Sequence, residues 1–217
     1  MPKQNRDLPL FSPVGSACRK RRPVFAVSLA AGTFLALVLM NFCSFARVCG
    51  TLRSQTLRLH VLANSDCAAD QQLKLTVRDA LVEECARLFR DCDTLEQTAR
   101  KAAENLDLLQ QTAQKAVQRQ GSAYPVEVRL ENMWFDTRCY DEYTLPAGQY
   151  RTLQVRIGRA EGRNWWCVLF PSLCLPAAEQ DTRQEALRVW GEEGVRLTTG
   201  ERRYKFAIAQ LWEKLQR

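Results

Sequence analysis

The chain has a single histidine among 217 residues, so any general-base chemistry has one place to start. His60 sits in Leu57-Arg58-Leu59-His60-Val61-Leu62, and the polar group Asn64-Ser65-Asp66, with Asp70 beyond it, follows at once. An imidazole there could act as base for the Ser65 hydroxyl or the Cys167 thiol, with Asp66 orienting the ring. A simpler reading competes. A histidine in an alternating strand is commonly a half-buried residue satisfied by its neighbours, and Ser65 or Asp66 is well chosen to cap a helix N-terminus. A helix start between His60 and Asp66 also argues against a relay.

The acidic pairs Glu83-Glu84 and Asp141-Glu142 are adjacent in sequence, so they cannot face one another as acid and base on a helix or strand. There is no HExxH, GxSxG, GxGxxG or phosphate-binding glycine loop. With one His and no CxxC, no four-ligand zinc site is spelled out. The residues predict neither catalysis nor a cofactor nor a metal, and the polar corner reads better as a binding surface. Trp165-Trp166 is open to two readings: successive side chains of a strand point to opposite faces, so one indole packs inward and the other meets a partner, or both rings are core packed under helices.

Charge and hydropathy then say where such a domain works. Residues 1–46 hold six Lys/Arg against Asp7, and the other 171 residues hold 25 basic and 23 acidic side chains. A nearly balanced domain lacks the concentrated positive face that nucleic acid requires. Arg19-Lys20-Arg21-Arg22 stands before Val24–Phe45, an uncharged apolar run of 22 residues. That length suffices to cross a bilayer, and the basic cluster keeps the N-terminus cytoplasmic. The chain after Arg47 is therefore expected outside the cytoplasmic membrane. Two fates are open: cleavage after the small-residue pattern Ser44-Phe45-Ala46, or retention as an anchor. Phe42 before Cys43 is too large for lipoprotein processing.

Nine cysteines fall at 18, 43, 49, 67, 85, 92, 139, 167 and 174. Cys167 and Cys174 flank Pro171, which can turn the chain between them, and an exported compartment permits a disulfide. Two buried thiols in an apolar strand are the alternative.

The elements that would position these groups follow from periodicity. A helix is predicted from Ala68 to Arg90 with two apolar stripes, so it packs on more than one side. A second is predicted from Thr94 to Gln118, opened by the capping box Thr94/Gln97 and stopped at Gly121. Strands are predicted at 126–130, 150–157 and 165–170, the last two joined by a hairpin-like connection, Gly158–Asn164. Residues 47–56 read as a polar stem, 179–200 as a Gly-broken linker, and 203–215 as a terminal helix. The fold class is α+β: a three- to four-stranded, mostly antiparallel sheet with two long helices packed on it, preceded by one N-terminal hydrophobic membrane or signal helix. The domains are a disordered basic segment (1–23), the apolar segment (24–46), an extracytoplasmic α+β domain (47–178), and the linker with the C-terminal helix (179–217).

Arg58–Leu81 (RLHVLANSDCAADQQLKLTVRDAL), Leu145-Pro146-Ala147-Gly148, Asn164–Cys174 (NWWCVLFPSLC) and the Tyr204–Lys214 segment resemble the stage II sporulation protein R family. Departures are Cys67, where the family usually has Ser or another small residue, and Ser172, where it has a second Pro. The resemblance implies an exported intercellular signal of endospore formers, released between forespore and mother cell. There it would activate a membrane-embedded aspartic protease of the mother cell that processes a pro-sigma factor, without cleaving anything itself. Partner contact is then expected at His60, Asn64, Ser65, Asp66, Asp70, Trp165 and Trp166, and membrane contact through residues 24–45. The alternatives are a secreted cell-envelope enzyme or a structural envelope protein.

Overall fold

The computed structural model describes residues 21–140, 143–173 and 182–199. Two units, Met1–Phe45 and Ala46–Arg217, are separately compact. Helix α1 (Arg21–Ser54) contains the apolar span, with a mean hydropathy of 2.1 over its best window. Its side chains from Val24 to Phe42 are exposed, as suits a surface meant for lipid or a translocation channel.

The second unit begins earlier than its composition implies. The expected polar stem at 47–56 is largely helix: the last turns of α1 bury Cys49 and Leu52, and Arg53 Nη1 donates to the Ala147 carbonyl at 3.2 Å. Strand β1 (Leu57–Leu62) follows immediately. Helix α2 (Ala68–Phe89) buries Leu73, Val77, Leu81, Val82, Cys85 and Phe89. Its cap is Cys67, not Ser65 or Asp66; the Cys67 sulfur accepts from the Asp70 N–H at 3.4 Å. Both expected caps have other partners, described below.

The predicted second helix is two, α3 (Leu95–Glu104) and α4 (Leu106–Arg119). Asn105 breaks it: at φ −116° and ψ 20° its amide donates to Ala102 and its side chain to the Lys101 carbonyl, the local bonding that makes Asn a poor helix interior residue. Half of the expected capping box forms, with Thr94 Oγ1 accepting from Gln97 N, while Gln97 Oε1 reaches one residue further back and accepts from Asp93 N. Gly121 ends α4 at φ 72°.

Strand β2 (Val126–Phe135) is twice its predicted length and pairs antiparallel with β5 (Gly148–Ile157) throughout. Between them lies a short hairpin, β3 (Arg138–Cys139) and β4 (Thr144–Leu145). The glutamines of α4 protect the outer edge of β2: Gln114 Oε1 accepts from Val126 N at 2.9 Å, and Gln110 Oε1 from Val128 N at 3.2 Å. Those bonds occupy donors that an edge strand would otherwise offer to another chain.

Strand β6 (Asn164–Phe170) completes a sheet of order β2-β5-β1-β6. The sheet is mixed, not mostly antiparallel, because β1 runs parallel to β5 and antiparallel to β6. Consequently β5 and β6 are not a hairpin; β1 lies between them, and their connection crosses its end. One face carries Leu57, Leu59, Val61, Leu153, Val155 and Ile157 into the core beneath α2 and α4.

Helix α5 (Thr182–Thr198), kinked at Gly191, occupies the stretch expected to be linker. It is tied to the domain by Trp190, whose indole N–H donates to Thr56 Oγ1 at 3.2 Å and whose ring meets Tyr143 edge-on. The expected terminal helix at 203–215 lies outside the described residues.

Candidate functional site

Two polar constructions flank β1, one at its end and one on the face turned away from the helices. At the end, the Ala63–Asp66 corner is clasped by the β5–β6 connection. Asn64, buried, uses both ends of its amide: Oδ1 accepts from Arg159 N at 3.0 Å and Nδ2 donates to Asp70 Oδ2 at 2.8 Å. The Ser65 hydroxyl donates to the same Asp70 oxygen at 2.6 Å and accepts from Cys67 N at 3.3 Å. Asp66 accepts from Arg163 N at 2.7 Å, and the Ala63 carbonyl from Gly162 N at 2.9 Å. Lys74, buried on α2, closes the clasp by donating to the Arg163 carbonyl at 3.0 Å and to Gln71 Oε1 at 2.6 Å.

Glycines make the clasp possible. Gly158 has φ +58° and lies against the Asn64 amide, while Gly162 packs on the Ser65 carbonyl, so a Cβ at either would collide. Hydrogen bonds from Ser65 first, then Asn64, hold the Asp70 carboxyl below its ordinary range. Burial lowers the Lys74 ammonium. Of the predicted contact residues here, Asn64 and Asp70 are buried, Ser65 is half-buried and Asp66 is exposed.

The second construction was not visible as a set. Arg58 and His60, two residues apart on β1, point away from the helical core. The Arg58 side chain is fully buried. Its guanidinium carbon stands 3.9 Å from the centre of the Phe135 ring, 4.9 Å from Tyr150 and 5.8 Å from Tyr140. Nη2 donates to the Tyr140 hydroxyl, but Nε and Nη1 have no acceptor. His60 stacks on Trp166 with centroids 5.7 Å apart and planes within 4°, and it meets Phe135 edge-on. Its Nε2 lies 3.0 Å from Asn164 Oδ1, so Nε2 carries the proton toward that acceptor, and buried Nδ1 has no partner. Arg138, from the β3–β4 hairpin, covers the Trp166 ring at 3.7 Å, and its Nε is also unpartnered.

The electrostatics follow from burial without an anion. Desolvation pushes the His60 pKa down, with the Arg58 charge adding to it against the Asn164 bond and Glu131. Burial likewise lowers Arg58 and raises Tyr140 and Tyr150, so both phenols stay protonated beside the cation.

The strand alternation expected of the tryptophans is seen. Trp165 is exposed, with Arg78 over its ring at 4.4 Å, and Trp166 is the inward partner of His60. The structure therefore groups His60 with Trp166 and separates them from the clasp. His60 bonds Asn164, not Ser65 or Asp66, so the base, hydroxyl and carboxylate considered for a relay are engaged elsewhere. Cys167 is buried on β6, and Cys174 lies outside the described residues. Among the described residues, no group of three or more His, Cys, Asp or Glu is placed to hold a metal. Sequence reasoning missed Arg58, Phe135, Arg138, Tyr140 and Tyr150. The available signal was Arg58 sharing the His60 face of an otherwise apolar strand.

Fold and site together define an α+β domain with a tightly clasped strand–helix corner, carried behind an apolar helix that fits a signal peptide or membrane anchor. The stage II sporulation protein R family matches residues 53–180, and the chain belongs to it. A relative named stage II sporulation protein R, from Bacillus subtilis (strain 168), is 36% identical over 120 residues. That match takes in 55% of this chain and 54% of the relative, about half of each. No solved structure matches. The family is one of sporulation proteins, and both the clasped corner and β6 lie in the matched region.

Proposed function

We propose that this protein is a non-enzymatic intercellular signal of sporulation. It is exported from the forespore and activates a membrane-embedded aspartic protease of the mother cell, which then processes a pro-sigma factor in that cell. The observation that carries this reading is an apolar, membrane-length helix on a chain whose folded domain belongs to a sporulation family. The protein acts in the space between the two membranes, and residues 24–45 engage the cytoplasmic membrane during export or as an anchor.

Activation requires only that the domain bind the active state of the protease better than the inactive one. The contact surface in this reading comprises Asp66 and Trp165, which are exposed, and His60, Asn64, Ser65, Asp70 and Trp166, which shape the surface beneath. Cys167 and Cys174 form a disulfide, and digestion under non-reducing conditions should yield the two peptides as one mass.

The test is complementation of a Bacillus subtilis strain lacking its own stage II sporulation protein R. Restored sigma-factor processing is the expected result. A folded, exported protein that leaves the pro-sigma factor uncut would overturn the proposal. An Asp66→Ala/Trp165→Ala variant should be exported normally yet process poorly; full processing would remove that surface.

A further inference from the structure

The positive excess of the chain after residue 46 is concentrated beyond α5. Of the 25 basic and 23 acidic side chains there, residues 201–217 (ERRYKFAIAQLWEKLQR) hold five and two, which leaves 20 and 21 for all the rest. Stepped at the 100° of a helix, Tyr204, Ala207, Ile208, Leu211, Trp212 and Leu215 fall within one arc of roughly 140°. Lys205 borders that arc on one side, and Arg203 and Lys214 border it on the other. Cations at both margins of an apolar stripe can lay their stems along it and hold their charges beyond it. An aliphatic and aromatic stripe edged by Lys and Arg is the composition of a helix that lies in a membrane surface.

The contacts of α5 show where that segment departs from the domain. Trp190 donates to Thr56, and four residues later Gly194 lies against Leu52, four residues earlier in α1. The chain of α5 therefore runs back along α1 toward the apolar run, and it ends at Thr198, which is buried. Leu52 itself is only seven residues past Phe45, the last residue of that run. We propose that residues 201–217 form a membrane-surface helix that binds an anionic phospholipid surface beside the end of α1's apolar run. The stripe inserts among the acyl chains, and the bordering cations meet lipid phosphates, a complementarity that the evenly charged remainder of the domain lacks. One consequence is that cleavage after Ala46 would not by itself release the domain, because the tail is a second membrane contact. The inference rests on the reading above only for export of the domain to a membrane surface.

The test uses the full-length protein reconstituted into phosphatidylcholine/phosphatidylglycerol vesicles, with and without bromine on the acyl chains. The contribution of Trp212 is the difference between each protein and its Trp212→Phe version. Bromine quenches an indole only at contact, so Trp212 should lose most of its fluorescence in the brominated vesicles. Ile208→Glu/Leu211→Glu, on the stripe, should restore that fluorescence, while Ala209→Glu, on the polar arc, should leave the quenching unchanged. Both variants should keep the denaturation midpoint of wild type in detergent micelles. The proposal is overturned by an unquenched Trp212, by equal responses of the two variants, or by a midpoint lowered in Ile208→Glu/Leu211→Glu. That last result would mean that the tail packs on the domain. Protein that fails to float with the vesicles at all would count against the exported-signal reading as well, whereas floating protein with an unquenched Trp212 removes the tail contact alone.

Discussion

On the helix side of the sheet, β1 contributes Leu57, Leu59 and Val61 to a core closed by α2 and α4. On the other side, the same strand contributes Arg58 and His60 to a layer of rings and cations with three unpartnered nitrogens between them. Both faces are buried, and their energetics are opposed. The first is stabilised by removing apolar area from water, roughly 25 cal/mol per Å². The second buries charge and leaves hydrogen bonds unmade, which lowers stability unless something else completes it. Apolar stabilisation and unmet polar cost are thus assigned to opposite faces of one six-residue strand.

That contrast can be broken by mutation. The largest effect is expected at Leu59→Ala, which empties a fully buried position on the helix face and should cost about 2–5 kcal/mol in chemical denaturation. Asp70→Ala comes next. It leaves the Asn64 amide and Ser65 hydroxyl without their common acceptor, so a loss of about 2 kcal/mol is expected, together with faster proteolysis at the β5–β6 connection. The same carboxylate gives a pH signature. Its folded-state pKa lies below the ordinary 3.8, so its contribution is complete above that value and is lost as pH falls through the folded pKa. Wild type should therefore weaken more steeply than Asp70→Asn only below about pH 4.

Arg58→Met should behave in the opposite sense to Leu59→Ala. An apolar side chain of similar length removes the unpaired charge and should raise the denaturation midpoint, by about 1 kcal/mol. A loss as large as that of Leu59→Ala would show that the two faces are energetically alike. The smallest effect belongs to His60. Its folded pKa is lowered by burial, so the folded state holds fewer protons there than the unfolded state. Stability is full above the unfolded value near 6.5 and declines below it, until the folded pKa is passed. His60→Gln should flatten the decline of stability below about pH 6.5, and an unchanged profile in chemical denaturation would show that the imidazole does not contribute to it.

Most of the elements were legible because their signals are local. The helix stop at Gly121, the cap at Thr94 and the alternation on either side of Pro146 all rest on bonds or periods spanning a few residues. The break at Asn105 was locally encoded too, but the apolar stripe from Leu95 to Val117 continues through it and masks it. The polar corner was legible as a concentration of hydrogen-bonding groups and not as a clasp. Its partners, Arg159 to Arg163, are nearly a hundred residues away.

By itself, then, the sequence determined the apolar N-terminal helix, most of the succession of helices and strands, and the fact that Arg58 and His60 share a face, since side-chain alternation is a property of any single strand. Only tertiary structure decided that β1 inserts between β5 and β6, that the last turns of α1 and all of α5 join the domain, and that no carboxylate among the described residues bonds Arg58. Strand order and counter-ion placement depend on which distant segments meet, and the energy of that meeting is shared among many side chains with no short-range period to announce it.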